Sequence, residues 1–167
     1  MIKINRAPVL TLWAAVVAQR LGFDWKESLT LGRAVAGLNA YSKGVSLGLF
    51  TPAPKSLKAE KREKLHVDLM HRAVPVRRTP DGWRAVSKGR VADPASVSRY
   101  LESKFGDALP NAIAAMKTLA RSLPPKTLAR DAYALYVKFR PSVPAGAGGW
   151  GATGVLDLRK IRALARD

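Results

Sequence analysis

Cysteine is absent from this chain, which excludes a disulfide framework, a thiolate metal site and a cysteine nucleophile. Carboxylates are scarce and scattered, 12 in 167 residues, so no pair of them can be nominated for general acid–base work. No G-x-S-x-G elbow occurs. The serine–lysine neighbours Ser42-Lys43, Ser87-Lys88 and Ser103-Lys104 cannot face one another on a regular element. Histidine occurs twice, in "HVDLMH". On a strand His66 and Asp68 share a face, but His71 points to the other side, and on a helix the two histidines diverge. Two ordinary histidines near a helix–strand junction are expected, with no metal and no cofactor. Internal repeats and low-complexity tracts are also missing. These absences together predict a protein that is not an enzyme.

What is present in excess is positive charge. Lysine and arginine number 29, giving a net charge of +17 and a pI near 10.9. The excess is spread along the chain: six basic against two acidic residues in 1–50, eleven against five in 51–93, twelve against five in 94–167. It therefore belongs to a folded body rather than to a detachable tail. Such a body attracts polyanions, because neutralising phosphates releases condensed counterions.

Hydrophobic content of 47% and a length of one ordinary domain predict a packed core over 1–167 without staples. The run "APVLTLWAAVVA" follows Lys3 and Arg6 and has the look of a leader. It is too short to span a bilayer and continues in helical register to Gly22 without a small-residue cleavage site, so a core helix of a cytoplasmic protein is expected. Pro8 suits a first helical turn and Gly22 a left-handed cap. Asp24 and Glu27 form a capping-box pair, opening a second helix over about 25–44 with Leu29, Val35, Leu38 and Tyr41 on its apolar side. Gly32, Ala36, Ala40 and Gly44 recur every four residues, a narrow ridge that lets the first helix pack closely.

The stretch "TPAPKSLKAEKREKL" (51–65) reads as a basic linker leading into a short polar helix. From Val74 the pattern changes to short β-compatible runs on either side of Thr79-Pro80-Asp81-Gly82, a type I turn signal for a hairpin over about 73–87. Pro75 would confine its strand to a sheet edge. Arg72, Arg77, Arg78, Arg84, Lys88 and Arg90 decorate this hairpin, with Trp83 among them. Helices follow from Asp93-Pro94 to Gly106, along the stripe Leu109, Ile113, Met116, Ala120 and Leu123, and from Pro124-Pro125 to Arg140-Pro141. A Pro/Gly-rich loop (141–156) precedes a last short helix capped by Asp157. The expected fold is mostly α, a compact single-domain bundle of about six helices with one short β-hairpin.

Three motifs need weighing. "VAQRLGFDWKESLTLGRAV" has the cadence of a helix-turn-helix. However, Ser28 stands where that motif is apolar, and the second helix is poor in base-reading side chains on its first turns; a plain αα-hairpin is expected. Gly146 to Gly151 matches G-x-G-x-x-G, but a helix rather than a strand precedes it, so it lacks the surroundings of a dinucleotide loop. Trp150 within it is expected to dock as a buried anchor. Finally, Asn39, Tyr41, Ser42 and Lys43 gather hydrogen-bonding groups where the second helix ends.

The segments "RAPVLTLWAAVVAQRLGFD", "LTLGRAVAGLNAYSKG" and "GWGATGVLDLRKIRAL" resemble a family of small uncharacterised bacterial proteins, over most of the chain. The resemblance implies a single bacterial cytoplasmic domain and no activity. The function expected from the residues is non-enzymatic nucleic-acid binding, to DNA or RNA, through the phosphate backbone. The residues expected to carry it are Lys58, Lys61, Arg62 and Lys64 in the charged segment, Arg77, Arg78 and Arg84 on the hairpin, and Lys43. The alternative is an interaction or assembly module whose basic face meets an acidic protein or anionic surface.

Overall fold

A computed structural model describes residues 1–46, 65–143 and 153–165, and the side chains of these apart from 41–46. The first helix, α1 (Arg6–Arg20), is buried at every position from Pro8 to Ala18. A helix apolar on all sides must be wrapped by others. Here α2 (Trp25–Ser46), α3 (Pro94–Phe105), α4 (Leu109–Arg121) and α5 (Pro125–Phe139) pack around it. Trp13 sits at the centre, fully buried, its indole N–H donating to the Ala132 carbonyl at 2.9 Å and its ring edge-on to Phe139 at 5.3 Å. The short α6 (Leu158–Ala165) closes the bundle against α4 and α5.

Local signals explain where these helices begin and end. At the end of α1, the Phe23 N–H bonds to the Ala18 carbonyl and the Gly22 N–H to the Gln19 carbonyl, with Gly22 at φ 119°. This is a Schellman motif, which needs the one residue that tolerates a left-handed backbone. Asp24 and Glu27 exchange reciprocal hydrogen bonds at the start of α2. Asp93 caps α3 through the Ala95 N–H, and Gly106 ends it. The close approach of α1 and α2 rests on Gly32, where a Cβ would lie 2.8 Å from the Ala15 backbone nitrogen and collide with the Thr11 carbonyl.

Two small antiparallel sheets accompany the helices, so the fold is mostly α but not a pure helical bundle. The expected hairpin is the centre of a four-stranded meander, β2 (Leu65–Leu69), β3 (Arg72–Thr79), β4 (Gly82–Ser87) and β5 (Arg90–Val91), in that order. Thr79 pairs with Gly82 around Pro80-Asp81, as the turn residues predict. The added strands are joined by turns at Met70-His71 and Lys88-Gly89, all four residues at positive φ, the geometry that matches strand twist. Pro75 consequently lies in an inner strand, not an edge strand. It is tolerated because the β3–β4 ladder begins only at Val76 opposite Ala85, leaving Pro75 paired on one side alone, with His66. His66 is thus in a strand.

The second sheet pairs β1 (Ile2–Asn5) with β6 (Thr153–Leu156). The interval expected to be a loop over 141–156 therefore contains a strand. Gly154 is needed there for space, since a Cβ would meet the Ser142 carbonyl at 2.6 Å. The G-x-G-x-x-G stretch with Trp150 lies outside the described residues.

The meander docks on α2 by the first half of β4, which the two-residue β5 leaves unpaired. Along that stretch the Trp83 N–H donates to the Glu27 carboxylate at 2.8 Å and the Ala85 N–H to the Thr30 hydroxyl at 3.1 Å. The Trp83 carbonyl accepts from the Arg84 guanidinium at 2.8 Å, and the Ala85 carbonyl from the Ala92 N–H at 2.8 Å. Three side chains and the Ala92 backbone thus stand in for a missing strand along this stretch, which would otherwise be open to pairing.

Candidate nucleic-acid interface

Helix starts take up much of the scarce acid. Asp24 and Glu27 close a cap and hold the sheet; Asp93 caps α3. Asp157 accepts the Arg159 N–H at 3.0 Å and its guanidinium at 3.1 Å, and Arg130 pairs with its neighbour Asp131 at 2.8 Å. Those charge-assisted bonds hold the Asp157 and Asp131 carboxyls below the usual range. Carboxylates engaged in this way neutralise little of the basic surface elsewhere.

The exposed side of α2 carries Lys26, Arg33 and Gly37, seven and four residues apart and so on one face. Around that stripe, three cations lie over half-buried aromatic rings. The Arg33 guanidinium is 4.5 Å from the Tyr100 ring centroid, Lys117 of α4 is 5.5 Å from Trp25, and Arg78 of the hairpin is 5.2 Å from Trp83. Burial pushes the Tyr100 hydroxyl pKa up, and Arg33 opposes the shift. Each stack is worth about 0.5–1 kcal/mol at an exposed site, and each holds a cation in place while leaving it charged.

The expected site residues divide. Arg78 belongs to this surface. Arg77 is exposed on the opposite face of the sheet, because consecutive strand residues point to opposite sides. Directly opposite it in the ladder stands Arg84, which is only 6% exposed. Its guanidinium is turned to the side of β4, so Arg84 closes that stretch of strand rather than making a solvent-facing contact. Trp83 packs against the core with Arg78 over its ring, so its ring is already paired. Lys58, Lys61, Arg62 and Lys64, together with the side chain of Lys43, lie outside the described residues. In the polar group at the end of α2, the buried Asn39 accepts a hydrogen bond from Arg72 at 2.9 Å and donates to the Val35 carbonyl. That residue ties the sheet to the helix.

Lys26, Arg33 and Lys117 are not among the residues expected from the sequence. The first two carry a legible signal, two basic residues seven apart and so at helical spacing on α2. Lys117 carries none, since only the packing of α4 brings it to Trp25. His66 and Asp68 are exposed on the same sheet face, and His71 sits in the turn at φ 64°. Among the described residues no group of three or more His, Asp or Glu side chains is placed to hold a metal ion. No described helix is long and apolar enough to cross a membrane. Comparison with protein-family models, curated proteins and solved structures returns no match.

Proposed function

We propose that this protein binds nucleic acid without catalysing a reaction, chiefly through phosphate contacts made by the surface around the exposed stripe of α2. The observation that carries this reading is the set of three cations stacked on aromatic rings beside that stripe, in a chain of net charge +17. A stacked arginine or lysine has already lost much of its side-chain freedom, so less entropy is lost when it meets a phosphate. The open face of a stacked guanidinium also offers a plane on which a base can lie. Phosphate contacts of this kind give affinity with little sequence preference. The cysteine-free composition and the resemblance to small bacterial proteins favour the bacterial cytoplasm as its place of action.

Titrating fluorescent single- and double-stranded DNA and RNA at rising salt tests the reading. Affinity should fall linearly on a log–log plot against salt concentration. No binding, or a flat salt dependence, would overturn it. Retention of an acidic protein with no nucleic acid would instead establish the assembly-module alternative.

A further inference from the structure

A second basic cluster lies at the far end of the bundle, where α1 begins. Because α1 and α2 form an antiparallel pair and α1 has 15 residues, this point is about 20 Å from the α1–α2 turn. Arg6 is the first residue of α1, and its Nε donates to the Pro141 carbonyl at 3.1 Å. Pro141 follows Arg140, whose own N–H bonds to the Tyr136 carbonyl at 2.7 Å as α5 ends. The Tyr136 hydroxyl, fully buried, donates to the Arg6 carbonyl at 3.4 Å. Arg6 and Arg140, both half-buried, thus flank one buried tyrosine along the chain, with the half-buried Tyr133 ring 5.9 Å away from it.

Nothing negative on the described surface answers them. Among the described residues no carboxylate pairs with Arg6 or Arg140. The remaining guanidinium nitrogens of Arg6 have no partner among the described residues, and the same holds for the Arg140 side chain. In addition, α1 starts with no side-chain cap and no acidic residue in its first turn, so the positive end of its dipole adds to Arg6 instead of being balanced. The last carbonyls of α5 offset part of the Arg140 charge, but Arg6 has no such compensation. The charges act on their surroundings: both guanidiniums pull the Tyr136 hydroxyl pKa down against the larger upward push of burial.

We infer that Arg6 and Arg140 form a seat for one phosphate-class oxyanion. Guanidinium forks match the oxygens of a tetrahedral phosphate and bind it through short charge-assisted hydrogen bonds. The ligand is either free phosphate or a terminal phosphate of a nucleotide. The seat is independent of the α2 surface, since it shares no residue with it.

Calorimetric titration of the full chain with inorganic phosphate, at ionic strength held constant with chloride, tests the seat. Saturable one-to-one binding is expected. Arg140→Gln, whose side chain holds no part of the described fold, should weaken it roughly tenfold or more, the loss of a charge-assisted bond. Lys126→Gln, exposed on α5, should leave it unchanged. Thermal unfolding confirms that each variant is folded. A second arm compares short oligonucleotides with and without a 5′-phosphate. A preference for the phosphorylated form that disappears in Arg140→Gln assigns the seat to nucleotide termini; no preference, with inorganic phosphate still bound, assigns it to free phosphate. Absence of saturable phosphate binding, or equal binding by Arg140→Gln, overturns the inference.

Discussion

Glu27 and Trp83 are 56 residues apart in sequence, and one carboxylate joins them. One Glu27 oxygen accepts the Asp24 N–H at 2.9 Å to close the helix cap, and the other accepts the Trp83 N–H at 2.8 Å to hold the sheet. The same side chain that starts α2 therefore sets where the meander sits. It also sets where Arg78 stands relative to the α2 stripe.

Glu27→Ala should remove both bonds and destabilise the protein by about 1–3 kcal/mol, the combined scale of a lost cap and a stranded backbone donor. Chemical denaturation measures the loss. Amide exchange should quicken at Trp83 more than at Val76, which is paired within the ladder. An unchanged rate at Trp83 would show that Glu27 does not anchor the sheet.

Two glycines of α2 should respond in opposite directions to alanine. At Gly32 the added methyl meets the backbone of α1, and forcing the helices apart should cost about 1–3 kcal/mol or more. At Gly37 nothing lies within 4 Å of the new carbon, and alanine should stabilise the helix by about 0.5–1 kcal/mol. Paired urea melts decide this, and equal shifts would refute the close packing.

Tyr136 makes stability depend on alkali. Burial raises its hydroxyl pKa well above the ordinary value, against the opposing pull of Arg140 and Arg6. A raised folded value means that the contribution is fully present below the unfolded pKa of about 10 and is lost as pH rises beyond it. Tyr136→Phe should lose only the long 3.4 Å bond to the Arg6 carbonyl near neutrality. Above pH about 10 it should become the more stable form. Melting curves across that range would show the crossover, and parallel curves would contradict the burial of the hydroxyl.

The basic residues should separate into those that meet phosphate and those that hold the fold. Arg33→Gln, Arg78→Gln and Lys117→Gln should each lower the slope of log affinity against log salt by about 1 and leave the melting temperature nearly unchanged. Arg84→Gln should do the reverse, lowering stability because the Trp83 carbonyl of β4 loses its donor, with the slope intact. A reduced slope for Arg84→Gln would return it to the interface.

Much of this architecture is legible without coordinates because its causes are local. Asp24 with Glu27, Asp93 before Pro94, Gly22 and Gly106 each act within one helical turn, so the helix limits follow from neighbouring residues. The unbroken apolar run after Pro8 implies burial on all sides, and Thr79 to Gly82 implies a turn. By contrast, Met70 and His71 carry no turn signal. They hold positive φ all the same, with Met70, 3% exposed, packed into the core, a placement that is invisible along the chain. The strand β1 pairs with β6 about 150 residues away, a partnership that no local signal encodes.

The sequence by itself determined the helices, the buried α1, the hairpin turn and the strong positive charge, since each depends on residues within a few positions of one another. Only the tertiary structure decided what that charge does. It turned Arg84 to the side of β4, laid Arg33, Arg78 and Lys117 over aromatic rings, and brought Arg6 to the Pro141 carbonyl. A side chain's partner across the fold is set by how the elements pack, and no spacing in the chain encodes that packing directly.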